Sequence, residues 1–351
     1  MALAVDLLRV NQKKVGNLLL CDLLNDLHTR FDSVGVGYFT LCIFIILALN
    51  FRYICCMLTR RNVLLGAIVP FFELAEGGLP FELSVEGYIF QQYAQRNKKS
   101  LAEVIPEVLR MASAAGFKNI ELNQAFFTPD IRDRTLSLLD SLKLRMPSIY
   151  VGGVMHSEEG VRQTIAAAME YANLAAPFGC KGVVNNPDPK AGGQPKTDEE
   201  LTVEVEGLNL LGRTLANEGF DLRVHHHTPQ LENKAREWRA ILVRTDTKFV
   251  KICVDVDWAY EGGFEPIPFL REVGDRLQEI HVRSARNKIW LEEVEDSDID
   301  YRAVAKYLRE RQLRPLVIVE LAYRPETVVT RSLEEDLRLS RIYTEQIFNQ
   351  G

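Results

Sequence analysis

Four segments in the second half of the chain carry side chains that can bind a divalent metal ion. They begin at Val224, Cys253, Ile280 and Val317, and read VHHHTPQLEN, CVDVDW, IHVRSAR and VIVELAY. Their metal-competent side chains are His225 or His227, Asp255, His281 and Glu320. A mixture of imidazole and carboxylate ligands suits Mn²⁺, Fe²⁺, Co²⁺ or Zn²⁺ better than Ca²⁺. The spacing therefore predicts a metal centre assembled from four separate segments.

Each of these residues also has an ordinary structural explanation when it is taken singly. Asp255 alone is typical of a solvated loop or a helix cap, and His281 alone is typical of a buried, hydrogen-bonded histidine. Glu320 is harder to explain, because it follows four apolar residues and burying an unpaired carboxylate is costly. The combination favours one shared site over separate structural roles.

Eight short apolar or β-branched runs alternate with segments whose apolar residues recur at helical spacing. The runs cover residues 80–86, 118–122, 143–150, 180–185, 221–227, 249–255, 276–282 and 315–320. The helical segments cover residues 100–115, 129–141, 157–178, 198–218, 233–244, 265–274, 299–312 and 328–348. Eight β/α units predict a single α/β (β/α)₈ TIM barrel, whose active site forms at the carboxy-terminal ends of its strands. The four metal-competent segments end the last four predicted strands, where His225 and His227 share one face.

Composition and charge narrow the classes of partner. The chain has 351 residues and a formal charge of −6. This balance disfavours nucleic acid, because proteins that bind a phosphate backbone present a basic face. Apart from the adjacent pair Cys55 and Cys56, the six cysteines show no spacing typical of a metal site or a disulfide framework. We therefore expect a globular protein with a small-molecule partner, and the sequence leaves its oligomeric state open.

The first 75 residues form a region separate from the barrel, which we expect over residues 76–351. Residues 33–51 carry no charged side chain and are long enough to span a membrane. The segment Met57–Ala75 places two arginines before a short apolar stretch, which is typical of a twin-arginine export signal. Two interpretations follow. Either Met57 is the true start and the barrel is exported to the periplasm, or residues 33–51 anchor a cytoplasmic barrel to the membrane.

The four motifs together resemble those of the sugar phosphate isomerase/epimerase family, which has the xylose isomerase-like TIM barrel. They read His-x-His-Thr-Pro, Asp-Val-Asp-Trp, His-x-Arg and Val-Glu-Leu, and the similarity spans roughly residues 80–350. The resemblance implies one divalent ion, usually Mn²⁺, Mg²⁺, Co²⁺ or Zn²⁺, which a sugar or polyol chelates through adjacent oxygens. It also implies ligands of the types Glu, Asp, His and Glu, which map here onto His225, Asp255, His281 and Glu320.

The histidine at the first ligand position departs from the family pattern. In the two-glutamate scheme, one carboxylate removes a proton next to a carbonyl and the other returns it, while the metal stabilises the enediolate. Glu320 can serve as one of these groups, and its candidate partners are His225, His227 and Glu121. The resemblance implies an isomerase or epimerase, with dehydration or β-elimination of an oxidised sugar as the alternative. A sugar-binding barrel without turnover is a further alternative.

Several other side chains are candidates for contact with a sugar. Arg283 shares a strand face with His281 and can bind a phosphate or carboxylate, or form a structural salt bridge. The long loop after Arg283 has the length of a lid and offers Trp290 to stack on a sugar ring. The loops after strands three and four commonly carry function in such barrels, and their candidates are His156, Asn185 and Lys196.

Overall fold

The computed structural model describes residues 80–350, and eight of its strands form one closed barrel. They are β1 (Leu83–Glu86), β2 (Ile120–Asn123), β3 (Ser148–Tyr150), β4 (Gly182–Asn185), β5 (Asp221–Val224), β6 (Val250–Asp255), β7 (Leu277–Val282) and β8 (Leu316–Val319). All neighbouring pairs are parallel, and the order around the barrel is β1-β8-β7-β6-β5-β4-β3-β2. The predicted TIM barrel is confirmed.

Helices follow the strands along the chain and bury apolar side chains against the sheet. They are α1 (Tyr88–Arg96), α2 (Leu101–Ala114), α3 (Arg132–Leu142), α4 (Glu158–Ala175), α5 (Asp198–Asn217), α6 (Thr228–Arg244), α7 (Val256–Glu261), α8 (Pro266–Val273), α9 (Tyr301–Glu310) and α10 (Leu333–Asn349). Strand residues such as Leu122 and Leu222 and helix residues such as Ile105 and Trp238 belong to one buried core. Burial of this apolar surface is the main force that closes the barrel.

Two helices were not predicted from the sequence. Helix α1 buries Ile89, Phe90 and Ala94. Its N-cap residue is Gly87, which has no side chain to cap the helix, so the start of α1 carries no capping signal in the sequence. Helix α7 is a six-residue helix capped by Asp255, whose Oδ1 accepts a hydrogen bond of 2.9 Å from the Trp258 N–H. Asp255 therefore has the helix-capping role that is typical of such an aspartate taken singly. This role does not prevent its Oδ2 from binding a metal ion.

The two amino-terminal predictions lie outside the described residues. They are the transmembrane-like segment at 33–51 and the twin-arginine-like signal at 57–75. Between residues 80 and 350, no helix is both long and apolar enough to cross a membrane.

A layer of charged side chains, which we call the floor, lies inside the barrel below the strand ends. Arg223 on β5 and Glu279 on β7 form a buried ion pair with 2.5 Å between Nη1 and Oε2. Glu121 on β2 accepts a hydrogen bond from the Ser148 hydroxyl. Burial alone would raise the pKa of Glu279, but His281 and Arg223 hold it at about 2. Burial and the charge of Glu279 raise the pKa of Glu121 to about 8, so the floor holds one ionised and one neutral carboxyl group.

We predict that Arg223→Met strongly destabilises the barrel. The substitution leaves the buried Glu279 carboxylate without its guanidinium, and removing one partner of a buried pair typically costs about 3–5 kcal/mol. Urea denaturation followed by circular dichroism would show the midpoint falling. Arg338→Met makes the same change in an exposed ion pair with Glu335 on α10 and should leave the midpoint in place. Equal midpoints for the two variants would contradict the role assigned to Arg223.

Candidate metal centre and active-site cavity

A cavity of about 450 Å³ opens at the carboxy-terminal ends of the barrel strands. Its lining residues are Glu86, Tyr88, Asn123, Tyr150, His225, His227, Trp258, His281, Arg283, Trp290 and Glu320. This is the end at which TIM barrels build their active sites. The volume is within the range of small-molecule sites.

Four side chains from four consecutive strands meet on one side of this cavity. They are His225 directly after β5, Asp255 at the end of β6, His281 within β7 and Glu320 directly after β8. One potential ligand atom from each residue lies within 4.8 Å of the corresponding atoms of the other three, and all four residues are buried. We call these residues the quartet. The structure thus brings together the four residues that the sequence predicted as metal ligands.

The environment of His225 shows that the quartet fits a bound cation. Both ring nitrogens of His225 are buried without a hydrogen-bond partner, which is costly in a folded protein. Burial, followed by the neighbouring histidines, lowers the pKa of His225 well below its ordinary value, so the ring is neutral with a lone pair available. Its Nε2 lies 3.9 Å from Asp255 Oδ2. A divalent ion among these donors would satisfy the histidine and neutralise the carboxylate.

His281 is held so that its two nitrogens face different partners. Nε2 faces the floor, at 3.3 Å from Glu121 Oε1 and 3.4 Å from Glu279 Oε1. Nδ1 lies 2.7 Å from Glu320 Oε2 in the quartet. Metal-binding histidines usually donate the second ring N–H to a carboxylate, which fixes the tautomer and the ring orientation. The floor therefore positions Nδ1 of His281 as the potential ligand atom.

Arg283 compensates the acidic charge of the quartet. Its guanidinium forms an ion pair with Asp255, and Nη2 lies 3.1 Å from Glu320 Oε1. A third contact joins Nε to Asp257 Oδ2 at 3.6 Å. Burial would raise the pKa of Glu320, but Arg283 and His281 outweigh burial and hold that pKa well below its usual range. Arg283 lines the cavity as predicted, and it also forms the structural salt bridge that was the alternative interpretation.

Two tryptophans form an aromatic wall beside Arg283. Trp290 lies on a two-stranded hairpin (Ala285–Arg286 and Ile289–Trp290), and its ring centroid is 5.3 Å from that of Trp258. The indole N–H of Trp290 donates to Asp257 Oδ2 at 2.8 Å, and the Arg283 guanidinium lies 4.3 Å from the Trp290 ring centroid. Such a wall can stack against the apolar face of a sugar. Trp290 is therefore brought to the cavity, as predicted.

Besides Asp255 of the quartet, four predicted site residues do not line this cavity. The Asn185 amide is buried and donates to the Val151 carbonyl at 2.7 Å, so it connects β4 to the end of β3. Lys196 folds back onto the acidic side chains of α5 and α6, where its Nζ pairs with Glu204 and lies 2.8 Å from Glu237. His156 and Glu121 are the other two. Burial is the larger cause and the charge of Lys196 the smaller cause that lower the pKa of His156. Glu121 lies in the floor beneath His281.

The sequence analysis missed the cavity residues that come from the first three strands. Glu86, Tyr88, Asn123 and Tyr150 lie at or just after the ends of β1, β2 and β3. Glu86 carried a usable signal, because it follows the apolar Val85 at the end of a predicted strand, as Glu320 follows Val319. The absence of neighbouring histidines or a recognisable motif kept that signal weak.

Most of the barrel sequence matches one known protein family. Residues 109–341 match the family described as xylose isomerase-like TIM barrel. The chain belongs to the xylose isomerase-like TIM barrel family. The match covers the strands that carry the quartet, so the resemblance given by the four motifs is confirmed.

Several known proteins are similar to this chain at low identity. An inosose dehydratase of Geobacillus kaustophilus is 23% identical over 210 residues, which cover 56% of this chain and 67% of that protein. An inosose dehydratase of Salmonella typhimurium is 26% identical over 148 residues, which cover 37% of this chain and 49% of that protein. The chain thus matches 67% and 49% of the lengths of these two relatives.

Solved structures of other proteins share the fold. An L-ribulose 3-epimerase superposes with a TM-score of 0.60 at 14% identity, covering 77% of this chain and 95% of that one. A 3-keto-D-glucoside 4-epimerase from E. coli superposes with a TM-score of 0.59 at 16% identity, covering 76% of this chain and 99% of that one. At these identities the likeness concerns the fold alone.

We predict that His225→Ala removes a bound divalent ion while His226→Ala retains it. The two histidines are adjacent, but His226 points away from the cavity and packs 4.5 Å from the Trp238 ring centroid. Both substitutions remove a buried imidazole directly after β5, so the two variants lose the same group at adjacent positions. Elemental analysis by mass spectrometry of the full chain, after reconstitution with Mn²⁺, Co²⁺ or Zn²⁺, measures the difference. Equal metal content in the two folded variants would show that His225 is not a ligand.

Proposed function

We propose that this chain is a metal-dependent carbohydrate isomerase or epimerase that removes a proton next to a carbonyl group. The observation that carries the proposal is the quartet of buried ligands at the side of a cavity with aromatic walls. A sugar or sugar derivative is the small-molecule partner. The acidic chain and its barrel-end cavity give no support to a nucleic-acid partner.

His225, Asp255, His281 and Glu320 would hold one divalent ion, with Mn²⁺, Co²⁺, Zn²⁺ and Mg²⁺ as the candidates. When bound, such an ion supplies Lewis-acid stabilisation of negative charge on the carbonyl oxygen of the substrate. Glu320 is the first candidate base, because Arg283 and His281 keep its carboxyl group ionised. Arg283 and Trp290 would orient the sugar, since both line the cavity.

His227 is a second candidate base in the same cavity. Burial, only partly offset by Glu320, lowers the pKa of His227 to about 4, so the ring is neutral near pH 7. Its Nδ1 lies 3.3 Å from the Asn186 side-chain nitrogen, and the Asn186 amide donates to Nδ1 in the tautomer that carries the proton on Nε2. A neutral imidazole held in place can accept or donate a proton near neutral pH.

Dehydration of an oxidised sugar is the second candidate function. Two observations favour it: a histidine, His225, stands where the two-glutamate scheme requires a carboxylate, and sequence relatives of this chain are named inosose dehydratases. Dehydration begins with the same proton removal next to a carbonyl, and it then expels a hydroxyl group as water. The cavity can hold a substrate of either reaction.

We further propose that the barrel is exported by the twin-arginine-like signal at 57–75, with membrane anchoring through residues 33–51 as the alternative. The support is the sequence pattern alone. Cell fractionation tests the two: export places the barrel in the periplasm, and anchoring places it in the membrane fraction.

We predict that the full chain catalyses solvent deuterium incorporation next to the carbonyl of at least one of an inosose, D-allulose and L-ribulose. Chelation of the metal should abolish the exchange. Glu320→Gln should slow it by about 10²–10⁴-fold, the usual contribution of an acid-base group. Glu335→Gln, the same change on the exposed face of α10, should exchange at the wild-type rate. Binding of a sugar without any exchange would contradict the enzyme and favour the sugar-binding barrel.

A further inference from the structure

Glu86 is a buried acidic residue of the cavity that the quartet does not include. It is the last residue of β1 and is 4% exposed. The quartet comes from β5, β6, β7 and β8, whereas β1 lies beyond β8 in the barrel. Strand β5 stands four strands from β1 in either direction around the eight-stranded barrel. Glu86 therefore faces the cavity from the side opposite His225.

We infer that Glu86 is a second acid-base residue of this site and that it donates a proton to the substrate. The inference rests on the proposed function and adds the group that completes it. A reaction that removes one proton needs a second group to deliver one, and Glu86 lines the same cavity as the candidate bases Glu320 and His227.

The contacts of Glu86 keep it in place without neutralising it. Its Oε2 accepts a hydrogen bond from the backbone N–H of Tyr88 at the start of α1. Within residues 80–350, no Lys, Arg or His side chain forms an ion pair with Glu86, whereas Asp255 and Glu320 both pair with Arg283. Glu86 is thus a fixed carboxyl group without a cationic partner.

The strand register places Glu86 beside two other carboxyl groups. On one side, Val85 pairs with Val319 of β8, so the next residues, Glu86 and Glu320, are neighbours. On the other side, Glu86 pairs with Glu121 of β2. Burial, then Glu320 and then Glu121, raise the pKa of Glu86 well above its ordinary value. A buried carboxyl group that lines the cavity without a cationic partner is suited to hold the proton that an acid donates.

Glu121 does not offer the same function. It belongs to the floor, where it contacts Ser148 and His281, and it does not line the cavity. The acid-base role that the sequence analysis considered for Glu121 therefore fits Glu86 better.

The proton transfers balance for both candidate reactions. The base takes the proton from the carbon next to the carbonyl, and the C–H electron pair moves to give the enediolate. Glu86 then gives its proton to that carbon, and delivery to the face opposite the one that lost its proton forms the epimer. In dehydration it gives the proton to the departing hydroxyl oxygen, and the C–O bond breaks to release water. The proton on the base then returns to Glu86 through solvent.

The test uses Glu86→Gln, because glutamine keeps an oxygen that can accept the Tyr88 N–H but cannot donate the acidic proton. Full-length wild type and variant, reconstituted with Mn²⁺, are assayed in D₂O with an inosose, D-allulose and L-ribulose. Product formation and deuterium in the recovered substrate are measured separately. Metal content, sugar dissociation constant and urea midpoint report on the site and the fold. Glu82→Gln, an exposed residue just before β1, is the matched control.

We expect Glu86→Gln to form product about 10²–10⁴-fold more slowly than wild type. Deuterium should still enter the recovered substrate, and metal content and sugar binding should match wild type. Wild-type product formation by Glu86→Gln would overturn the assignment and leave the proposed function standing. Equal loss of exchange and product would overturn the donor role. Failure of the wild type itself to exchange any of the three sugars would overturn the proposed function, and the assignment with it.

Discussion

Three buried carboxylates at the mouth of this barrel lie around one guanidinium, that of Arg283. Asp255, Asp257 and Glu320 all contact it, and each would be strongly disfavoured in its ionised form without that positive charge. Tyr301 at the start of α9 fixes the backbone of Arg283, because its hydroxyl accepts from the Arg283 N–H at 3.1 Å and donates to the Arg283 carbonyl at 2.6 Å. The charge balance of the site is therefore tied to the packing of the barrel.

The same balance explains why the quartet is suited to a cation. Arg283 reaches the carboxylates but leaves both nitrogens of His225 without a partner. The floor orients His281 from below, so that one nitrogen faces the quartet while the other is held by Glu121 and Glu279. A cation bound by these donors would give the His225 imidazole a partner. It would also add to the positive charge with which Arg283 balances the carboxylates. Glu86, at the end of β1, has no ion pair with Arg283 and remains outside this compensation.

The fold and the quartet could be predicted because both leave a local pattern in the sequence. Alternating apolar runs and helical spacing gave the eight β/α units, and residues at the ends of parallel strands must meet at one rim. The helix α1 escaped prediction because no capping residue marks its start. The position of Lys196 away from the cavity could not be predicted for a different reason: its partners Glu204 and Glu237 come from two later helices, and tertiary packing alone brings them together. Glu86 was missed because its significance depends on register with Glu320 rather than on its own neighbours.

The most direct test of the account is the location of a metal ion in the protein. X-ray diffraction at the manganese absorption edge, on crystals grown with Mn²⁺, would show where the ion binds. The account predicts one anomalous peak within bonding distance of His225, Asp255, His281 and Glu320. A peak elsewhere, or none while Arg283 keeps its contacts with Asp255 and Glu320, would contradict the metal centre on which the proposed chemistry depends.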